Sequence, residues 1–374
     1  MEEPGRGTVR VMQLLAPGAY GGLERVVTQL ATGLARRGWP SAVVAILDAG
    51  AAEPPVLEEI RGAGVAVFPL PVPPRAYRLE RHQVGEVVDR WRPQVANTHG
   101  YRADVNLRPV LQARRIPVVG TAHGFTGGGL KNRLFEWLDR RALSRCEAAV
   151  AVSRPLGERL RSGGVRPDRL HVIPNAWAPS RTTLTRAEAR ERLGLPQEAV
   201  AIGWVGRLGA EKGPDVAVSA MARLRHSTAT LSLVGAGREE SALRALASRL
   251  GVQDRIRWHG GVPAAGDLMA AFDAFCLSSR TEGTPMALLE AMAAGVPVVV
   301  TRVGGVPDIV SGEEAVLVPS EDPSALAAAL DLTLTARDEA DARARRARRR
   351  LETGFGVEPW LDRYQVLYRG LRDR

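Results

Sequence analysis

The stretch AFDAFCLSSRTEGTPMALLEAMAAGVPVVVT, residues 271–301, reads as a strand, a loop, a helix and a second strand. AFDAFCLSS (271–279) and VPVVVT (296–301) are short apolar runs that are continuous rather than alternating, the pattern of strands buried on both faces. Between them, Thr284 suits a helix N-cap and Pro285 the first helical position, while Gly295 and Pro297 end the helix. Glu290 is the one polar residue of the apolar segment PMALLEAMAA, and Glu282 stands eight residues before it in the loop. A carboxylate buried without donors is costly and tends to take up a proton. Glu290 therefore needs a partner: the vicinal hydroxyls of a sugar are one match, and an arginine in this arginine-rich chain is another.

The same rhythm extends outward. VRVMQLLAP (9–17), SAVVAILD (41–48), VAVFPL (65–70), QVANTHG (94–100), PVVGTAHG (117–124) and AAVAVS (148–153) are apolar runs separated by amphipathic segments. It breaks at PNAWAPSRTTLTRAEAR (174–190), which reads as a linker, and resumes with AVAIGWVG (199–206), ATLSLVGAG (229–237), RIRWHG (255–260), 271–279, 296–301 and EAVLVPS (314–320). Helices follow over 322–350 and about 357–370. The expected fold class is α/β, with two doubly wound, Rossmann-like domains facing across a cleft: 1–178, 179–356, and a terminal helix in 357–374. In such sheets ligands bind beyond the carboxyl ends of strands, so the motifs there carry the interest.

GAYGGLERVV (18–27) follows the first strand, and Gly21 and Gly22 let backbone approach an anion at a helix N-terminus. No G-K-[ST] or G-x-G-x-x-G accompanies it, so neither a P-loop nor a dinucleotide fingerprint is present. WVGRLGAEKGPD (204–215) places Arg207 and Lys212 five residues apart across a turn, able to converge on a diphosphate. Lysine is rare here, with only Lys131 and Lys212 among 51 basic residues. LVGAG (233–237) supplies Gly235 in a tight turn that serves a phosphate or plain helix–sheet packing. Gly283, Thr284, Pro285 and Met286 offer main-chain groups beside Glu282 at a helix start. His99 and His123 both end first-domain strands before a glycine, where acid–base or sugar-hydroxyl contacts are made.

Other classes lose ground. The net charge is +10, with 25 basic against 16 acidic residues in 1–178, which suits an anionic partner: nucleic acid, a membrane surface or a phosphorylated substrate. Aromatic stacking positions interleaved with the charge are lacking, and ARARRARRRL (342–351) follows acidic residues on one segment, so a solvated helix is the better reading. Two cysteines, no C-x-x-C, no H-E-x-x-H and no D-x-D leave no metal site or cofactor indicated. No apolar run reaches bilayer length and the start is not a secretory signal, so the expectation is a cytoplasmic protein, peripheral to the inner membrane face if Tyr77, Leu79 and the arginines at 75, 78 and 81 meet lipid.

Together GGLERV, VSRPL, VIPN, VGRLGAEKG, LVGAG, WHGGV and TEGTPMALLEAMAAGVPVVVTRVGGVPDIV resemble the family-4 retaining glycosyltransferases of the GT-B fold, in order and across nearly the whole chain. The resemblance implies transfer of a sugar from a nucleotide-diphospho-sugar donor to an acceptor hydroxyl of a glycan, lipid-linked or small molecule, without a metal. It implies that Glu290 binds the ribose, Glu282 lies by the donor sugar, and Arg207 and Lys212 hold the diphosphate. It further implies phosphate contacts from Gly21 and Gly22, main-chain contacts from residues 283–286, and a base bordered by Gly260 to Pro263, Val262 included. Tyr20, His99 and His123 fall on the sugar or acceptor side, His123 and Glu282 joining Arg207 and Lys212 as the catalytic set. The terminal helix would pack back on the first domain. Ala176 replaces the family's usual glycine after PN, so acceptor-side loops depart from the pattern. An epimerase or phosphorylase on the same fold is the enzymatic alternative, and a nucleic-acid-binding protein the non-enzymatic one.

Overall fold

The computed structural model describes residues 7–18, 21–125, 130–179 and 184–373, the side chains of 130 and 131 excepted. The chain divides into two compact units, Met1–Ala176 with Val357–Arg374, and Trp177–Gly356.

The first unit is built on a seven-stranded sheet: β1 (Val11–Leu15), β2 (Ser41–Asp48), β3 (Ala66–Val72), β4 (Val95–His99), β5 (Val118–Ala122), β6 (Ala148–Ala151) and β7 (Leu170–Val172). Its order is β3-β2-β1-β4-β5-β6-β7 and every pairing is parallel. Both faces are covered, so β1, β4, β5 and β6 are buried at every position, which is why they read as unbroken apolar runs rather than alternating ones. β7 escaped the sequence reading: it is three residues long, at the sheet edge and partly exposed, so no apolar run marks it.

The second unit carries a six-stranded parallel sheet: β8 (Ala201–Val205), β9 (Thr230–Val234), β10 (Ile256–Gly260), β11 (Ala274–Leu277), β12 (Val298–Thr301) and β13 (Val316–Val318). Its order is β10-β9-β8-β11-β12-β13. In both units the strand order reverses beside the first strand, between β1 and β4 and between β8 and β11. Those are the two switch points where a doubly wound sheet opens a crevice.

Two helix boundaries differ from expectation. The 322–350 segment is two helices, Pro323–Thr335 and Arg337–Gly354, interrupted at Ala336 with ψ 63°. The second buries Ala340, Ala344, Ala347 and Leu351 on one face and pairs Arg337, Arg343 and Arg348 with acids at helical spacing. The Glu290 helix runs Met286–Ala293, so Pro285 is its N-cap and Thr284 lies outside it. Pro285 keeps an extended ψ of 114°, so it is the flanking cap residue and the helix starts one residue late.

The helix Val357–Arg372 belongs to the first unit. Leu361 packs against Gly33, and Arg37 binds Glu358 and Asp362. Tyr364 and Tyr368 are fully buried, and Asn97 of β4 donates to the Tyr368 hydroxyl at 2.9 Å while accepting from Thr121 of β5 at 2.8 Å.

A second buried polar group lies on the helices beside β4 and β5. The carboxyls of Asp104 and Asp139 meet; Asp104 Oδ2 and Asp139 Oδ1 have no other partner among the described residues, and one shared proton satisfies both. Burial, with the facing Asp139 charge, holds Asp104 well above the usual carboxyl range. Burial raises Asp139 to about 7, against the hydrogen bond with Asp104. A folded-state pKa above the unfolded value favours folding below about pH 4, and that contribution is lost as pH rises toward 7. Asp139→Asn keeps a donor for Asp104 and removes the titration. It is expected to melt at least about 2 °C above the parent at pH 8, the gap closing at pH 5; an equal gap at both pH values would contradict the shared proton.

Candidate active site

The β8/β11 switch point carries most of the residues singled out in the second unit. The loop after β8 contains Arg207, a single 3-10 turn at Ala210–Lys212, and Gly213. The loop after β11 contains Ser278, Ser279, Arg280 and Glu282. Ser278 stitches the two together: its hydroxyl accepts from the Trp204 indole at 3.1 Å and donates to the Gly213 carbonyl at 2.6 Å. Arg280 adds a fork to Asp215 at 2.7 and 2.8 Å and a bond to the Ala210 carbonyl. Both loops are thus held before any ligand arrives.

At the centre, Lys212 Nζ lies 2.8 Å from both Glu282 oxygens, and Ser279 Oγ donates to Oε1 at 2.6 Å. The Glu282 side chain is only 4% exposed and that of Lys212 29%. The pair is therefore desolvated on the glutamate side chain and more exposed on the lysine side chain. The main chain of Glu282 is fixed as well, its carbonyl accepting from Gly305 N. Gly304 beside it has φ 48°, and a Cβ there would come within 1.9 Å of the same carbonyl, so only glycine fits.

Arg207 does not converge with Lys212 on one point in this structure. It forks onto Glu211 at 2.6 and 3.1 Å, with 62% of its side chain exposed. Burial opposes ionisation of Glu211, but the Arg207 bonds and the Lys212 charge outweigh it and its pKa falls. Glu211 was missed, although its four-residue offset from Arg207 is a signal for pairing.

Glu290 is half-buried on its helix, and its carboxyl packs on Gly266 of the 3-10 segment Ala265–Ala271. A Cβ at 266 would lie 2.5 Å from the Glu290 carboxyl carbon. Nothing in the sequence flagged Gly266, since the contact joins segments 24 residues apart. Gly283, Thr284 and Pro285 are buried between Glu282 and this helix, and Met286, its first residue, is buried as well. Gly235 follows β9, donating to the Gly260 carbonyl at 2.7 Å, and Val262 is half-buried in the loop after β10.

In the first unit, Gly21 and Gly22 are exposed at the start of the helix Gly22–Arg36. Tyr20 lies outside the described residues. The turn already holds a carboxylate: Glu24 accepts from Gly18 N at 2.6 Å and its other oxygen lies against Gly21. The expected anion site at this N-terminus therefore has an internal acid in its first turn. Tyr77 and Leu79 are exposed on the helix Tyr77–Trp91.

His99 and His123 are brought together at the ends of β4 and β5. His99 Nδ1 and His123 Nε2 are 2.9 Å apart, and His99 Nε2 lies 2.8 Å from the Gln13 amide on β1. Burial, then the neighbouring ring, pushes His99 well below its ordinary pKa, and burial lowers His123 to about 4. Both rings are neutral at pH 7, which suits hydrogen bonding and not the proton donation by imidazolium that strand-end histidines also suggest. Among the described residues no cluster of three or more His, Cys, Asp or Glu is placed to hold a metal, and no helix is long and apolar enough to cross a membrane.

Known proteins match both units. Residues 185–350 match the family described as glycosyl transferases group 1, and residues 20–181 match glycosyltransferase family 4. The chain is 31% identical to a D-inositol 3-phosphate glycosyltransferase of Xylanimonas cellulosilytica over 93% of this chain and 92% of that one. It is 30% identical to a glycogen synthase of Mycobacterium tuberculosis over 71% of this chain and 66% of that protein. The solved structure of Anabaena HepE in complex with UDP and glucose superposes with a TM-score of 0.82 at 19% identity, covering 96% of this chain and all of that one. The two parallel sheets, their switch-point loops and a relative aligned over nearly the full length agree: the chain is a glycosyltransferase of family 4, with the GT-B fold.

Proposed function

We propose that the protein transfers a sugar, with retention, from a nucleotide-diphospho-sugar to an acceptor hydroxyl. The observation that carries this reading is the Lys212–Glu282 pair at the β8/β11 switch point, with the glutamate side chain desolvated and the lysine side chain partly exposed. An ammonium has three donor hydrogens. With the Glu282 oxygens on one side, Lys212 keeps donor capacity for a phosphate oxygen on the other. Arg207 exchanges Glu211 for the same diphosphate, and together the two cations offset the charge that develops as the nucleotide leaves. This role for the cations is also the reason to expect turnover without a metal.

Glu282 acts here as an electrostatic and positioning group rather than as a covalent nucleophile. Both of its oxygens accept from an ammonium and one also from Ser279, which withdraws the electron density that attack on a sugar would use. Departure and attack on one face of the sugar, with the donor phosphate taking the acceptor proton, needs no such nucleophile. Glu290 takes the ribose hydroxyls, with residues 283–286 supplying main-chain contacts between it and Glu282. The UDP and glucose seen with Anabaena HepE support this donor class.

The test is a thermal-shift panel of UDP-, GDP-, ADP- and dTDP-sugars with the purified protein, in chelator throughout. One nucleotide is expected to raise Tm by several degrees at about a hundredfold excess over its Kd, and to support turnover in chelator. No shift with any of the four would refute the donor site, and turnover that returns only with a divalent ion would refute the metal-free part.

A further inference from the structure

A row of buried polar groups crosses the first unit beneath His123. Gln13, Asn97, His99 and Tyr368 are all at most 2% exposed. Gln13 pairs in register with Asn97, and Leu15 with His99, so the β1/β4 switch point is lined with amides and a ring instead of apolar side chains. Such groups persist in a core only when their hydrogen bonds close.

Whether they close depends on which end of the Gln13 amide faces His99. The two ends are nearly isosteric, so the 2.8 Å separation is the same for both, and the bond count decides. With the oxygen toward His99, Gln13 Nε2 is buried without a partner among the described residues. The Tyr368 hydroxyl, which accepts from Asn97 and faces Gln13, then meets an N–H and not an acceptor for its own proton. With the nitrogen toward His99, one chain of donors can run from the Tyr368 hydroxyl to the second ring. Tyr368 O–H donates to Gln13 Oε1, Gln13 N–H donates to His99 Nε2, and His99 Nδ1–H donates to His123 Nε2 across 2.9 Å.

We infer that Gln13, oriented by Tyr368 of the C-terminal helix, fixes His123 as a neutral ring protonated on Nδ1, which makes it a hydrogen-bond donor at the carboxyl end of the sheet. Gln13 and Tyr368 are then positioning residues, setting the polarity of His123 without reaching the substrate. A neutral donor suits a sugar hydroxyl oxygen or a carbonyl of the donor molecule. That last step rests on the proposed function; the tautomer does not.

Long-range 15N–1H correlation spectra of the labelled, intact protein read the protonated nitrogen of each histidine directly. The wild type is expected to show Nδ1–H for both His99 and His123. Gln13→Glu presents only acceptor oxygens to both neighbours, so the chain reverses: His99 and His123 become Nε2–H, and kcat at saturating donor falls about 10-fold, the loss of one neutral hydrogen bond. Tyr368→Phe removes the source of the order and is expected to give a mixture of tautomers at His123. Nε2–H at His123 in the wild type, or an unchanged tautomer in Gln13→Glu with its backbone spectrum preserved, overturns the assignment. A reversed tautomer with unchanged kcat upholds it and instead removes His123 from the sugar.

Discussion

Lys212→Ala is expected to lower kcat/KM about 1000-fold, the upper range for loss of one charged group at developing transition-state charge. Lys212 is the cation bonded to both Glu282 oxygens, and its side chain is the more exposed of the pair. Removing it deletes the proposed diphosphate contact and also leaves a buried carboxylate supported by Ser279. Breaking such a pair costs about 3–5 kcal/mol, and the partial exposure of the lysine side chain puts this case near the lower figure. The single variant therefore confounds instability with lost chemistry. Lys212→Met combined with Glu282→Gln separates them: the neutral amide keeps the Ser279 bond, the buried charge is gone, and denaturant melting should return toward the parent while turnover stays lost. Activity within about tenfold of the parent in Lys212→Ala would remove this residue from the reaction.

Much of this arrangement was legible in the residues because it follows from short-range rules. Strands buried on both faces must be continuously apolar, which marked β1, β4, β5, β6, β11 and β12 as runs, while β7, short and partly exposed at an edge, carried no such mark. Functional loops must follow those strands in a doubly wound sheet, which put Arg207, Lys212, Glu282, His99 and His123 at strand ends. What the residues did not disclose were the partners. Glu282 is 70 positions from Lys212, and Gly266 is 24 from Glu290. No local periodicity encodes those meetings. Arg207 and Lys212 look like two cations aimed at one anion because a sequence shows charges without their counter-ions; the fold gives each an acid of its own. The Gln13–His99–His123 chain was invisible for the same reason, since Gln13 sits in an apolar strand with nothing nearby to mark it. GGLERV carried a local clue that was passed over: the acid in the first helical turn, Glu24, that folds back onto the glycine turn.

Glu290 and Gly266 give the sharper test of donor recognition, because one residue can be used to move the other. Glu290→Ala is expected to weaken nucleotide binding about 100-fold, the loss of two hydrogen bonds to a charged acceptor. If those bonds go to the ribose, the loss is larger for the ribonucleotide than for its 2′-deoxy analogue, and the variant binds the two nearly alike. Gly266→Ala keeps the carboxylate but places a methyl group 2.5 Å from its carboxyl carbon. That gap is too short for a Cβ contact, so the Glu290 side chain must shift, and it is the movable partner. Binding should fall about 10-fold, again with reduced preference for the 2′-hydroxyl. In the Glu290→Ala background the same methyl group has no carboxylate to displace, so Gly266→Ala should have little further effect. Non-additivity of this sign is the mark of one shared mechanism, whereas independent sites add to within a few tenths of a kcal/mol. Full additivity measured by calorimetric titration would mean that Gly266→Ala damages the fold by another route. A Glu290→Ala variant that still prefers the ribonucleotide as strongly as the parent would take the ribose away from Glu290.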